Sequence, residues 1–252
     1  MAIFQEIIQS FRPEVYGSFI VVGILSFLAF IVNLVAKKAD PLAKPKGILL
    51  LAEMLVDMFD RMVKTYMGPT WKTMASFFMT IAMYIFLSFI IGLFGIPSPL
   101  LFFTNIVVIV SYTFIMIHYT AIKANGLKYF KRFTEPFVVF LPINLVSVWA
   151  PLVSMSFRIF GNMIAGYAIL SLLYFATGQL STFIFSFLPA GFSSLWIAPF
   201  IAPWLHLYFD LFGAFIQTTV FITLSMIFIA QEGPGPSKVH NEAVASTLNS
   251  TT

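Results

Sequence analysis

Long apolar runs separated by short polar stretches dominate the chain, and their lengths predict helices that cross a membrane. Residues 17–36 form one such run, since about 20 apolar residues span the roughly 30 Å hydrocarbon core as a helix. Residues 73–94 and 105–122 predict two more, joined by the uncharged turn GIPSP. Residues 48–67 differ. Glu53, Asp57, Asp60, Arg61 and Lys64 recur at helical spacing on one side, with Leu51, Leu55, Met58, Met62 and Tyr66 on the other. That alternation predicts a helix lying at the membrane surface, its mixed charges forming a solvated face or a partner-protein surface. Gly68–Pro69 ends it, and Trp71 and Lys72 are interfacial anchors for the helix that follows.

The last two runs, 137–176 and 194–230, are too long for simple crossings. A helix of about 40 residues would measure about 60 Å, twice the hydrocarbon thickness. Each run therefore holds extra crossings, with Pro142 and Pro151 as candidate breaks in the first, or lies strongly tilted. The expected membrane helices are 17–36, 73–94, 105–122, 139–176 and 194–230, in one membrane domain spanning residues 1–252. Residues 1–16 read as a mildly amphipathic lead-in without the basic start of a signal peptide, and 232–252 as a polar cytoplasmic tail.

Composition supports this reading: 60% of residues are hydrophobic and 10% charged. The net charge of +4 comes from lysines gathered in two loops. Lys37, Lys38, Lys44 and Lys46 against Asp40 mark the first, and Lys123, Lys128, Lys131 and Arg132 against Glu135 mark the second. By the positive-inside rule both face the cytoplasm, which puts the N-terminus outside and leaves no reason to expect a nucleic-acid partner. The chain has no cysteine, its histidines (His118, His206, His240) are far apart, and it has no glycine-rich phosphate loop. Neither a metal nor a cofactor is expected.

Between Pro136 and Glu232 the formal charges are Arg158 and Asp210. A charge near the bilayer centre costs about 2.5–3.5 kcal/mol on insertion scales, so each is a candidate functional residue. At 100° per residue Ser154, Arg158, Gly161 and Ala165 form one stripe, small except for the arginine, with Asn162 beside it. Such a stripe admits a close helical neighbour; its simpler reading is a packing face whose arginine snorkels to the interface. On the last helix the same projection gathers His206, Asp210 and Gln217 on one side, with Gly213 and Ala214 leaving space. His206 and Asp210, four residues apart, can share a hydrogen bond or merely satisfy one another.

The run PINLVSVWAPLVSMSFRIFGNMIAGY, together with FDLFGAFIQTTVFITLSMIF, resembles subunit a of the membrane sector of rotary F-type ATP synthases. The resemblance covers nearly the whole chain. It implies an all-α integral membrane protein of about five transmembrane helices plus a cytoplasmic surface helix, the last two long and tilted as a hairpin against a rotating ring of c subunits. It also implies the b-subunit peripheral stalk and other synthase subunits as partners, a multi-pass location in the bacterial plasma membrane, and a non-catalytic role. Carried over, Arg158 is similar to the arginine that faces the ring carboxylates, Asn162 and Gln217 to its polar neighbours, and Ser154 to the small residue one turn before it. Asp210 stands where the family lines the outer proton half-channel.

Three departures accompany it. Tyr167 stands where many relatives have an ionisable partner for Asp210, Ser147 and Val148 replace acidic residues after the PxNL segment, and Ala150 replaces a lysine. The expectation is that Tyr167 donates a hydrogen bond to Asp210, with His206 toward the outer mouth. A proton-coupled secondary transporter is the alternative reading, and an intramembrane enzyme a third; no internal repeat, metal cluster or activated nucleophile favours either.

Overall fold

The computed structural model describes residues 13–39, 44–126, 129, 139, 141–187, 189 and 196–233. Most of the lead-in, Asp40, the second loop beyond Tyr129 and the tail after Gly233 lie outside them. Among the described residues the secondary structure is helical: α1 (Pro13–Lys38), α2 (Ile48–Tyr66), α3 (Ala75–Ile90), α4 (Phe103–Asn125), α5 (Leu141–Ile184), α6 (Ala198–His206) and α7 (Gly213–Glu232). A π-helical turn, Leu207–Phe212, joins α6 to α7 without a break. Among the described residues five spans are long and apolar enough to cross a membrane: Val15–Lys38, Ala75–Phe94, Phe103–Asn125, Leu141–Ile184 and Ala198–Glu232.

The fifth helix settles the length puzzle for its own run. It is unbroken for 44 residues, about 66 Å at 1.5 Å per residue. The extra-crossing reading fails for it, and so does the end expected at Ala176. Pro142 occupies the first turn, where no intrahelical N–H bond is lost. Pro151 lies inside the helix, as membrane helices allow when neighbours cover the freed backbone. A helix of this length keeps its apolar residues in hydrocarbon only when steeply tilted.

The central helix is α7, which packs against both α3 and α4, while α5 lies along the outer side of α4. Phe78, Ile85, Val110, Phe221, Ile222 and Met226 are among the buried side chains between them. In lipid this contact is a matter of close packing more than of water exclusion.

One face of α2 departs from the expectation. Phe59 and Val63 are its buried residues, with Leu55 and Met62 packed against the same core, whereas Leu51, Met58 and Tyr66 are exposed. The helix carries apolar residues on two sides. Its protein-facing stripe is the one containing Phe59, and the other is left for lipid. Its polar residues pair along the helix, Arg61 with Asp57 and Lys64 with Asp60. The hydrogen bond and charge of Asp57 hold the Arg61 guanidinium above its usual pKa. Exposed pairs of this kind stabilise little.

Two close contacts fix the end of the bundle that carries the GIPSP turn. Gly95, with φ of 74°, closes the turn after Ile91–Phe94 in the left-handed region where glycine is free of strain. Ser98 Oγ donates to the Ser88 carbonyl and accepts from the Leu100 amide. Nearby, Ser18 Oγ meets Tyr84 Oη and Asn105 Nδ2, and a Cβ on Gly17 would lie 2.7 Å from the Pro97 carbonyl oxygen. That oxygen is backbone and cannot step aside. Gly17→Val is therefore expected to cost about 1–3 kcal/mol by overpacking. It should loosen α1 from the bundle and speed proteolysis at Lys37–Lys38 several-fold relative to the parent chain; an unchanged cleavage rate would contradict the contact.

Candidate functional site

The antiparallel register of α5 against the α6–α7 helix determines which polar groups share a level. A Cβ on Gly213 would stand 3.6 Å from Asn162 Nδ2, and a Cβ on Gly166 would stand 3.7 Å from Phe209 Cβ. One step of four residues on each helix thus connects two facing pairs. One further step in the same sense brings Arg158 to the level of Gln217. Glycine at 166 and 213 lets the two backbones approach.

At that level the two residues behave differently. Ser154, Arg158, Gly161 and Ala165 are all exposed, and no heavy atom lies within 4 Å of a Cβ built on Gly161. Arg158 makes no hydrogen bond or ion pair among the described residues. Gln217 is half-buried, and its Oε1 is buried without a hydrogen-bond partner among them. An orphaned acceptor of this kind costs about 1–3 kcal/mol. The small stripe is therefore an open face carrying a permanent cation, with an unsatisfied amide behind it.

Asp210 sits in the π turn, two turns from Gln217 along the chain. Its Oδ2 is 2.5 Å from His206 Nδ1, and His206 Nε2 is 2.8 Å from Tyr174 Oη. An ionised carboxylate only accepts, so Nδ1 is the donor to Asp210, and in the neutral ring Nε2 accepts from the phenol. The three groups form one line: phenol, imidazole, carboxylate. An imidazole can take a proton at one nitrogen and release one from the other, which suits this middle position. The side chains of His206 and Asp210 are 25% and 15% exposed. All three line a cavity of about 400 Å³, with Ser98, Asn162 and Ser171 among its polar neighbours, at the end of the bundle with the GIPSP turn.

One sequence expectation needs correction here. Tyr167 lines the same cavity at the expected level, but it is 59% exposed and makes no hydrogen bond to Asp210. Tyr174, seven residues further on, takes the place of partner, and it acts through His206. Helical side chains lean toward their own N-terminus, which brings the Tyr174 hydroxyl down to the histidine. The π turn interrupts the regular 100° projection between Asp210 and Gln217. His206 and Asp210 stay together, while Gln217 belongs to the Arg158 level. Among the described residues no group of three His, Asp or Glu side chains could hold a metal ion.

A second polar cavity, of about 300 Å³, lies at the opposite end, against Asn144, Ser147 and Pro151 of α5 and the last turns of α4 and α7. Ser147 and Pro151 fall within about 20° of Arg158 in helical projection, at distances of about 16 and 10 Å along the axis. Arg158 thus stands between two polar cavities at opposite ends of the helix bundle.

The family profile of the ATP synthase A chain matches residues 16–230. The chain belongs to that family. It is 31% identical over 239 residues to ATP synthase subunit a of Mycoplasma genitalium, covering 88% of this chain and 80% of that protein. With ATP synthase subunit a of Mycoplasmoides gallisepticum it shares 27% identity over 237 residues, covering 86% and 77%. A 101-residue stretch is 41% identical to a protein of Propionigenium modestum described as ATP synthase subunit a, sodium ion specific, covering 40% of this chain and 28% of that protein. As a member of the ATP synthase A chain family the chain is a non-catalytic, ion-translocating membrane subunit, and the family match decides against the transporter reading.

The geometry separates the two tyrosines in this ATP synthase A chain. Tyr174→Phe removes one hydrogen bond, worth about 0.5–1.5 kcal/mol, and should slow proton-driven ATP synthesis roughly threefold to tenfold. Tyr167→Phe should leave the rate within about twofold, the size of a surface substitution. Rates measured side by side in sealed membrane vesicles check the order; the reverse order would return Tyr167 to the role the sequence suggested.

Proposed function

We propose that Arg158 is the fixed cation past which the carboxylates of a c-subunit ring move, and that the two polar cavities are the water paths that load and unload them. The observation that carries the reading is the exposure of an unpaired arginine on a stripe of small residues midway along a 44-residue apolar helix. Its guanidinium cannot deprotonate under protein conditions, so it does not escape its cost by becoming neutral. A partner that brings a carboxylate to this face offsets that cost, and the small stripe lets it come close.

In this mechanism a passing carboxylate stays ionised beside Arg158 and becomes neutral only on either side of it. The Tyr174–His206–Asp210 line supplies the group that exchanges protons at one cavity. Asn162 and Gln217 are polar neighbours of the arginine, and Gln217 Oε1 is the acceptor toward which the guanidinium turns when no carboxylate is opposite. Ser154 keeps the face low. The transported ion is a proton, because phenol, imidazole and carboxylate in series pass protons along hydrogen bonds. The ring turns because a proton that enters by one cavity can leave only by the other.

Residues 1–252 act as one membrane domain. Lys37, Lys38, Lys44, Lys46 and Lys123 support an orientation with the Ser147 cavity toward the cytoplasm, the N-terminus outside and the C-terminus inside, in a bacterial plasma membrane. The peripheral-stalk b subunit is the further partner proposed. The span Val15–Lys38 is 6% buried within the chain, which leaves α1 open to lipid and to a neighbouring subunit.

Arg158→Ala should abolish coupled synthesis while the complex still assembles, because the small stripe continues to pack. Arg158→Lys should restore little, since an amine in apolar surroundings tends to neutrality and lacks the planar fork. Asp210→Asn should slow proton uptake from outside about a hundredfold, the loss expected for a positioned proton-transfer group. Synthesis rates and subunit content of vesicles carrying each variant decide the matter. Coupled synthesis at the parent rate in Arg158→Ala vesicles would overturn the central role.

A further inference from the structure

The cavity at the lysine-loop end is lined by titratable side chains that the mechanism has not yet used. Its polar lining is Asn144 and Ser147 of α5, His118 of α4, and Gln231 and Glu232 of α7, over an apolar floor that includes Phe114 and Phe228. Among the described residues the titratable groups facing it are His118, Glu232 and Tyr129. The fifth helix contributes none. Lys123, one turn beyond His118, lies over the Tyr119 ring instead.

His118 is held in a defined protonation geometry. Its Nδ1 is 2.8 Å from the Phe114 carbonyl oxygen. A carbonyl can only accept, so Nδ1 is the donor there, and in the neutral ring Nε2 presents a lone pair. The Phe114 ring, with centroids 4.0 Å apart, and the Tyr129 ring, edge-on at 6.0 Å, fix the imidazole plane. Glu232, half-buried at the end of α7, brings a carboxylate to the same space. Pro151 adds an acceptor: it has no N–H, so the Ser147 carbonyl has lost its intrahelical donor. The Ser147 hydroxyl is turned the other way along the helix, onto the Ile143 carbonyl. Water in this cavity would find an imidazole, a carboxyl group and the Ser147 carbonyl below the Arg158 face.

We propose that His118 and Glu232 are the proton-exchanging groups of the lysine-loop cavity, passing protons between water and the face of α5 that carries Arg158. The inference rests on the reading of that face as the site of ion exchange, and it assigns the second path to residues from α4 and α7. Proton transfer here is exchange only: Nε2 takes a proton from water or from the Glu232 carboxyl group and returns it. No bond to a heavy atom changes.

The test uses the complete synthase in sealed vesicles, driven by an imposed gradient, with the pH of the two sides varied separately. His118→Gln and Glu232→Gln keep hydrogen-bonding capacity while removing titration. The double variant should run at least about tenfold slower. Its rate should lose its dependence on the pH of the lysine-loop side, while its dependence on the other side persists. Asp210→Asn should show the converse. A merely structural role would lower the rate equally at every pH on both sides, and that result overturns the proposal. So does a double variant whose rate and pH dependence stay within about twofold of the parent. If the double variant fails to assemble, the single variants decide by the same criterion. An inactive Arg158→Ala complex beside unaltered His118 and Glu232 variants sinks this inference alone, whereas a coupled Arg158→Ala complex sinks the reading beneath it.

Discussion

A cation that cannot become neutral, placed midway along a helix that must stay in hydrocarbon, constrains everything around it. Burial of such a charge costs about 2.5–3.5 kcal/mol on insertion scales, and a lysine could reduce the cost by shedding its proton where Arg158 cannot. The described part of the chain supplies no counter-charge. It supplies an open face instead, with Ser154, Gly161 and Ala165 flanking the arginine. It also supplies a buried, unpartnered amide oxygen at the same level on the facing helix. Both features are costly in a closed protein and reasonable in one whose opposite charge arrives on another subunit.

The helix architecture divides the work between α5 and α7. Half-enclosed by α3 and α4, α7 gives the bundle its core, whereas the span Leu141–Ile184 is 17% buried within the chain. Glycines at 166 and 213 bring the two helices close enough for Asn162 and Phe209 to interlock. The π turn then shifts the register just where Asp210 is needed. Asp210 stays with His206 across it, and Gln217 lies two turns further on, at the level of the arginine.

The crossings were legible because apolar length and lysine placement are strong signals. The level of Arg158 against Gln217 follows from counting residues on antiparallel helices. The partner of Asp210 was not legible. Tyr167 and Tyr174 are seven residues apart and share a face, so spacing favours neither, and the choice depends on the reach of His206. The π turn has no sequence signature beyond Pro203 upstream. Pro151 reads as a break in water-exposed helices, yet a membrane helix tolerates it. The protein-facing side of α2 was not legible, because the helix is apolar on two sides and periodicity cannot say which one meets protein. His118 stood out in the sequence only as one of three scattered histidines. A lone histidine in an apolar run carries no pattern, and only the convergence of three helix ends gives it neighbours.

The central claim is that two water paths end on either side of Arg158 without meeting. The chain has no cysteine, so single cysteines can be introduced without removing any from this subunit. Ser171→Cys lies in the cavity of the Tyr174–His206–Asp210 line, and Ser147→Cys lies in the cavity of His118 and Glu232. A small membrane-impermeant thiol reagent, applied to one side of sealed vesicles at a time and read as a mass increase on this subunit, should modify Ser171→Cys from one side and Ser147→Cys from the other. Modification of both from the same side, or of either from both sides, would contradict separate paths.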